Sequence, residues 1–148
     1  MIQAARRAAC VALGLAVHAA TAADGAALFA QHCATCHQAD ASGTVGLAPA
    51  LRGAHWERLG RDRGYVLAVV LHGLSGPIKV DGQTFVGSMP PFAPQLDDAQ
   101  VAAVATHLRA LQGAKQFAPY GAAEVKLARS EPGSPPASRQ RRLQAAGG

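Results

Sequence analysis

The chain has 148 residues, 49% of them hydrophobic but only 5% aromatic, enough for one modest core and not for two. Sixteen Gly and nine Pro assign much of it to loops, and no apolar run reaches the roughly 20 residues that span a bilayer, which excludes collagen-like, coiled-coil and polytopic membrane architectures. The net charge of +5 is uneven: residues 23–113 hold six Lys+Arg against seven Asp+Glu, residues 114–148 six against two, so the compact part is nearly neutral and no nucleic-acid partner is implied.

Residues 1–22 read as a cleaved export signal. Arg6 and Arg7 form the positive start, Ala8–Ala20 the apolar stretch, and Ala20-Thr21-Ala22 the small-residue cleavage site. Cleavage removes Cys10. Asp24 then caps a first helix to about Gln31, with Leu28 and Phe29 as its large apolar residues.

Next comes His32-Cys33-Ala34-Thr35-Cys36-His37, whose C-x-x-C-H is the c-type haem attachment signature. Two thiols three positions apart sit on one helical turn and reach the two vinyl groups of one haem. The following imidazole then lies under the ring and is offered to iron. A zinc site would want a second ligand pair, a thioredoxin-like pair a βαβ pattern, and a structural disulfide leaves the adjacent His unexplained. Export fits haem attachment, which takes place outside the cytoplasm in bacteria.

Residues 38–60 form a loop rich in Gly, Ala and Pro, with Leu47, Leu51 and Trp56 as packing points. Asp62 caps a second helix striped by Tyr65, Val66, Val69 and Val70 and ending at His72-Gly73. Ile78-Lys79-Val80 and Gln83-Thr84-Phe85-Val86 flank Asp81-Gly82, a favoured hairpin turn. Met89, the last methionine of the chain, lies in Gly87-Ser88-Met89-Pro90-Pro91-Phe92. Methionine is usually core filler. A loop stiffened by two prolines is also what a sixth iron ligand needs, and Met89 is read that way. The last helix, capped by Asp97 or Asp98, carries Val101, Val104, Ala105, Leu108 and Leu111 on one face and stops at Gly113.

Residues 114–148 are expected to be a basic, Pro-rich tail, mostly disordered, with a weak helix around Ala122–Arg129. Ser130–Gly148 has almost no large apolar residue to offset its ordering entropy. Its Arg139-Gln140-Arg141-Arg142 cluster is read as a solvated tail, or as a peripheral contact with a membrane or an acidic partner. The domain itself is thus residues 23–113: three principal helices, long loops and a small hairpin. Its protein-only core is thin, and a haem supplies the missing apolar volume.

With these residues in hand, the chain resembles the small single-haem class I cytochromes c of the bacterial periplasm, including cytochrome domains of exported dehydrogenases. The resemblance covers about residues 24–113. It rests on Gly25 and Phe29, on Cys33–His37, on Gly46-Leu47-Ala48-Pro49-Ala50-Leu51, on Leu71–Pro77 and on Gly87–Phe92. It implies an all-α cytochrome c fold around one covalent haem c, with Cys33 and Cys36 attached and His37 and Met89 on the metal. The Pro49 carbonyl is implied to orient His37, and Arg52 and Trp56 to meet the propionate end. The family usually has an aromatic residue where His107 stands, so the imidazole is expected to pack there. His32, His55 and His72 are read as surface or satisfied core residues, His72 with a structural hydrogen bond.

The resemblance therefore implies electron transfer, with redox-protein donor and acceptor and no enzymatic activity. A haem enzyme such as a small peroxidase, or a gas sensor, is the alternative. Either would need an open or labile sixth position, and no distal acid–base pair is evident.

Overall fold

Three aspartates set where the principal helices begin, because each carboxylate accepts from backbone N–H groups that have no partner inside the helix. The computed structural model describes residues 23–147, so the export-signal reading of residues 1–22 lies outside it. Asp24 accepts from Ala26 and Ala27 at 3.0 and 3.1 Å and starts α1 (Gly25–His32). Asp62 accepts from Gly64 at 3.1 Å and starts α4 (Arg63–His72). Asp97 and Gln100 form a reciprocal capping box, at 2.8 and 2.9 Å, that starts α5 (Asp98–Leu111). Two single-turn helices, α2 (Ala34–His37) and α3 (Trp56–Leu59), lie between α1 and α4.

α1 packs across α5 where Gly25 meets the Ala103 carbonyl so closely that a Cβ would overlap it. His107 on α5 stands against Phe29, ring centroids 5.5 Å apart, and so fills the position where the family resemblance expected an aromatic. Phe29, Leu59, Leu67, Leu71, Val101 and Val104 are fully buried and form the centre of the core.

The hairpin forms as β2 (Ile78–Val80) and β3 (Gln83–Phe85), antiparallel, with Ile78 opposite Phe85. Asp81 and Gly82 carry φ of 49° and 80°, the left-handed pair that its turn requires. A second antiparallel pair, β1 (Leu74–Ser75) with β4 (Ser88–Met89), was not anticipated and sets Leu74 opposite Met89. Leu74, Ile78, Val80 and Phe85 form a small satellite cluster against which Met89 packs.

The expectation of a mostly disordered tail is corrected by the structure. Residues 114–147 fold onto the domain as α6 (Ala122–Ser130) and α7 (Pro135–Gly147). α6 packs on α5 and α4, with Val125 fully buried and Tyr120 buried just before it. α7 packs on α3, α4 and β1. Much of this docking is polar, which is why a hydrophobicity argument missed it. Arg63 holds Glu124 through two bonds of 2.6 and 2.8 Å, and Arg129 donates to Asp98 at 2.7 Å. Arg141 donates to Asp62 at 2.6 and 2.5 Å, and Arg139 to the Pro77 carbonyl at 2.8 Å. The basic cluster is therefore spent on the chain itself and is not the free cationic patch expected for a membrane or acidic partner. Asp62, which receives Arg141, and Asp98, which receives Arg129, sit at the starts of α4 and α5, where they also favour the helices.

Candidate functional site

α1 ends at Cys33, whose φ of −118° breaks the helix before α2 carries Cys36 and His37 onward. The turn is closed by bonds from the Cys36 and His37 amides to the Cys33 carbonyl, 3.2 and 3.0 Å. Neither cysteine forms a disulfide, and both lie on the wall of one cavity. Burial, and then the neighbouring Cys36, push the Cys33 thiol up to about 11. Before attachment such a thiol would be protonated and poorly nucleophilic at neutral pH.

His37 is buried, and its Nδ1 lies 2.9 Å from the Pro49 carbonyl oxygen. A carbonyl only accepts, so Nδ1 carries the proton and Nε2 keeps its lone pair. Burial lowers the pKa of His37 despite the opposing effect of this bond, which keeps the ring neutral. The loop that delivers Pro49 is folded back by Thr44. Its amide donates to the Ala48 carbonyl and its hydroxyl to the Cys36 carbonyl, both at 2.8 Å.

Met89 reaches the same cavity from β4. Its backbone lies directly against Gly73, where a Cβ would stand 2.5 Å from the Met89 carbonyl oxygen. Gly73 has φ 76° and ψ −174°, a region that glycine alone populates. The Phe92 amide donates to the Val70 carbonyl at 2.9 Å and fixes the far end of the proline segment.

The cavity encloses about 1230 Å³ of empty space, its open mouth included, and its wall is mainly apolar. Of the residues the sequence singled out, Cys33, Cys36, His37, Pro49, Trp56 and Met89 converge on it. Arg52 does not. Its guanidinium is half exposed and donates to Asp40 at 2.8 Å, because the loop brings that carboxylate to the surface beside it. The sequence missed Tyr65, Gln112 and Arg142 as parts of the wall. Tyr65 was visible only as a helix-stripe residue, and nothing local marked Arg142.

The polar atoms of this wall test whether a haem fits. Trp56 Nε1 and Gln112 Nε2 are buried without any protein partner. A site that offers two thiols, an imidazole lone pair, a thioether and unanswered buried donors around an apolar slot matches a large planar apolar group bearing vinyls and carboxylates. The residues fit such a group: Cys33 and Cys36 to attach it, His37 and Met89 to ligate its metal.

Residues 22–112 match the family model described as Cytochrome c. The chain is 42% identical over 115 residues to cytochrome c-552 of Thermus thermophilus, covering 74% of this chain and 86% of that protein. A second cytochrome c-552 of Thermus thermophilus is also 42% identical, with 76% of it covered. The Cbb3-type cytochrome c oxidase subunit FixPc of Rhizobium leguminosarum bv. viciae is 40% identical over 88 residues, 58% of this chain but 29% of that larger protein.

Proposed function

The chain belongs to the cytochrome c family, as a class I c-type cytochrome with covalently bound haem c, and on that premise we propose that it is a periplasmic electron carrier with His37 and Met89 as axial ligands. The family and its relatives bring electron transfer as the broad function. Bound haem supplies one-electron exchange between Fe(III) and Fe(II).

The observation that carries the finer reading is the shared wall: His37 and Met89 line one mainly apolar cavity, each held by backbone contacts. Pro49 fixes the His37 ring and raises its basicity through the Nδ1 proton. β1 holds Met89 in register, and Gly73 lets its backbone approach. The apolar wall would keep water from the metal. With His37 and Met89 both holding it, no position would be left for substrate, which favours a carrier over a small peroxidase or gas sensor. Leu47 lines the cavity yet is 60% exposed, and Val86, beside cavity-lining Gly87, is 75% exposed. An apolar rim of this kind supports contact with redox-protein donors and acceptors. The export pattern of residues 1–22 supports the periplasm.

The test is spectroscopic. The ferric protein is expected to show the far-red Met–iron charge-transfer absorption, and the ferrous protein little carbon monoxide binding. Met89→Ala should abolish the band, admit carbon monoxide and lower the potential. Ready carbon monoxide binding and peroxide turnover by the unsubstituted protein would replace the carrier with the enzyme or sensor.

A further inference from the structure

Arg142 is the one buried arginine among the described residues, 6% exposed, and it projects from α7 into the cavity wall. Its Nη1 donates to Tyr65 Oη at 3.2 Å and its Nη2 to the Lys79 carbonyl at 3.5 Å. Among the described residues no carboxylate lies within 4.0 Å of it, whereas Arg52, Arg63, Arg129 and Arg141 each have one. A guanidinium stays charged at any pH a protein survives, so burial without an anion is strongly unfavourable.

The neighbouring groups make the same demand. Tyr65 Oη accepts from Arg142, which leaves its own proton to donate. Trp56 Nε1 is buried without a partner, and the two rings stand 5.9 Å apart by centroid. Three kinds of donor thus meet at one end of the cavity, and none of them has an acidic acceptor. Burial also raises the Tyr65 pKa, with Arg142 opposing, so the phenol keeps its proton. Asp62, the carboxylate whose charge acts on Tyr65, is already paired with Arg141.

We infer that Arg142 is the cation that binds a haem propionate, with Tyr65 and Trp56 as accompanying donors, so that helix α7 completes the haem site. This rests on the haem assignment and deepens it. Residues 22–112 match the family model, so the charge comes from chain outside the matched region. Planar guanidinium and carboxylate groups pair through two parallel bonds, and Arg142 has N–H groups left for them. The arginine that the sequence suggested for this task, Arg52, is paired at the surface.

The experiment measures the reduction potential of full-length holoprotein against pH, between about pH 5 and 8, for the wild type, Arg142→Gln, Arg142→Lys and Arg141→Gln. An arginine partner keeps a buried propionate ionised across this range. In Arg142→Gln the propionate pKa should rise into the range and produce a new pH-dependent step. On its alkaline side the uncompensated negative charge favours Fe(III). The ferrous/ferric ratio at fixed ambient potential should fall about tenfold, the effect of a unit charge over roughly 10 Å at an effective dielectric near 20. Arg142→Lys should restore most of the difference, and Arg141→Gln, which loosens the docking of α7 but keeps the propionate's partner, should show no comparable alkaline fall.

A wild-type profile in Arg142→Gln would overturn the inference and leave α7 with a structural role only. Should that variant fail to accumulate, infrared redox-difference spectra of the wild type decide. An ionised propionate throughout is expected, and a protonated C=O band titrating inside the range would overturn the inference. Absence of covalent haem in the purified protein is a separate result that would sink the haem assignment itself.

Discussion

Replacing Gly73 by Ala strikes the backbone that holds Met89. At φ 76° and ψ −174° a Cβ costs about 1–3 kcal/mol in strain. The same atom would stand 2.5 Å from the Met89 carbonyl oxygen and 3.1 Å from the Pro90 carbonyl carbon. These are backbone atoms and cannot rotate away, so the overlap adds about 1–3 kcal/mol. Keeping the native arrangement would then cost about 2–6 kcal/mol. β4 is only two residues long, and its few ladder hydrogen bonds are worth about 0.5–1.5 kcal/mol each. Releasing β4 is the less costly outcome, and it carries Met89 away from the cavity while α1, α4 and α5 stay packed. Gly73→Ala should therefore lose the far-red absorption and bind carbon monoxide with little loss of helix content. Gly73→Asn should do no better, since its Cβ meets the same carbonyl. A Gly73→Ala protein with the wild-type band and no carbon monoxide binding would refute the argument.

Two further predictions concern the C-terminal segment. Val125→Ala, at a fully buried position on α6, should lower unfolding stability by about 2 kcal/mol in a urea titration, whereas a disordered tail would leave the midpoint unmoved. The hydrogen bond from Arg63 holds the Glu124 carboxyl below its ordinary 4.5, so the pair contributes stability that is present above about pH 4.5 and lost as pH falls through the depressed value. Glu124→Gln should flatten that acid limb in melting curves, and an unchanged limb would show that the pair contributes nothing.

The elements legible in the sequence were those with local causes. Asp24, Asp62 and Asp97 announced helices that begin one residue later, Asp81-Gly82 announced a hairpin, and Val101 through Leu108 spelled out one buried face. Cys33, Cys36 and His37 were legible because attachment chemistry fixes their spacing. What was not legible depends on distant partners. The β1–β4 pair is two short strands that meet across an intervening hairpin, too brief for any alternation to register. Ser138 and Arg142 make their buried contacts with Ala68 and Tyr65, some seventy residues earlier, and neither is a residue type that marks a core. Arg52 and Arg142 looked alike as letters. Only the fold puts a carboxylate beside the first and none beside the second.

The polar docking of α7 also bears on how the molecule opens. A helix that buries Ser138 and Arg142, and no large apolar side chain, gains little from the term that dominates cooperative stability. Local unfolding draws first on such segments, and its free energy lies well below that of the whole domain. Amide hydrogen exchange in α7 should accordingly run ahead of exchange in α4 and α5. Each such excursion uncovers the Arg142 side of the cavity while the helices around His37 stay closed. Solvent access to that edge is thus set by a detachment equilibrium of the last helix, one that can be tuned by substitutions there without touching the central core.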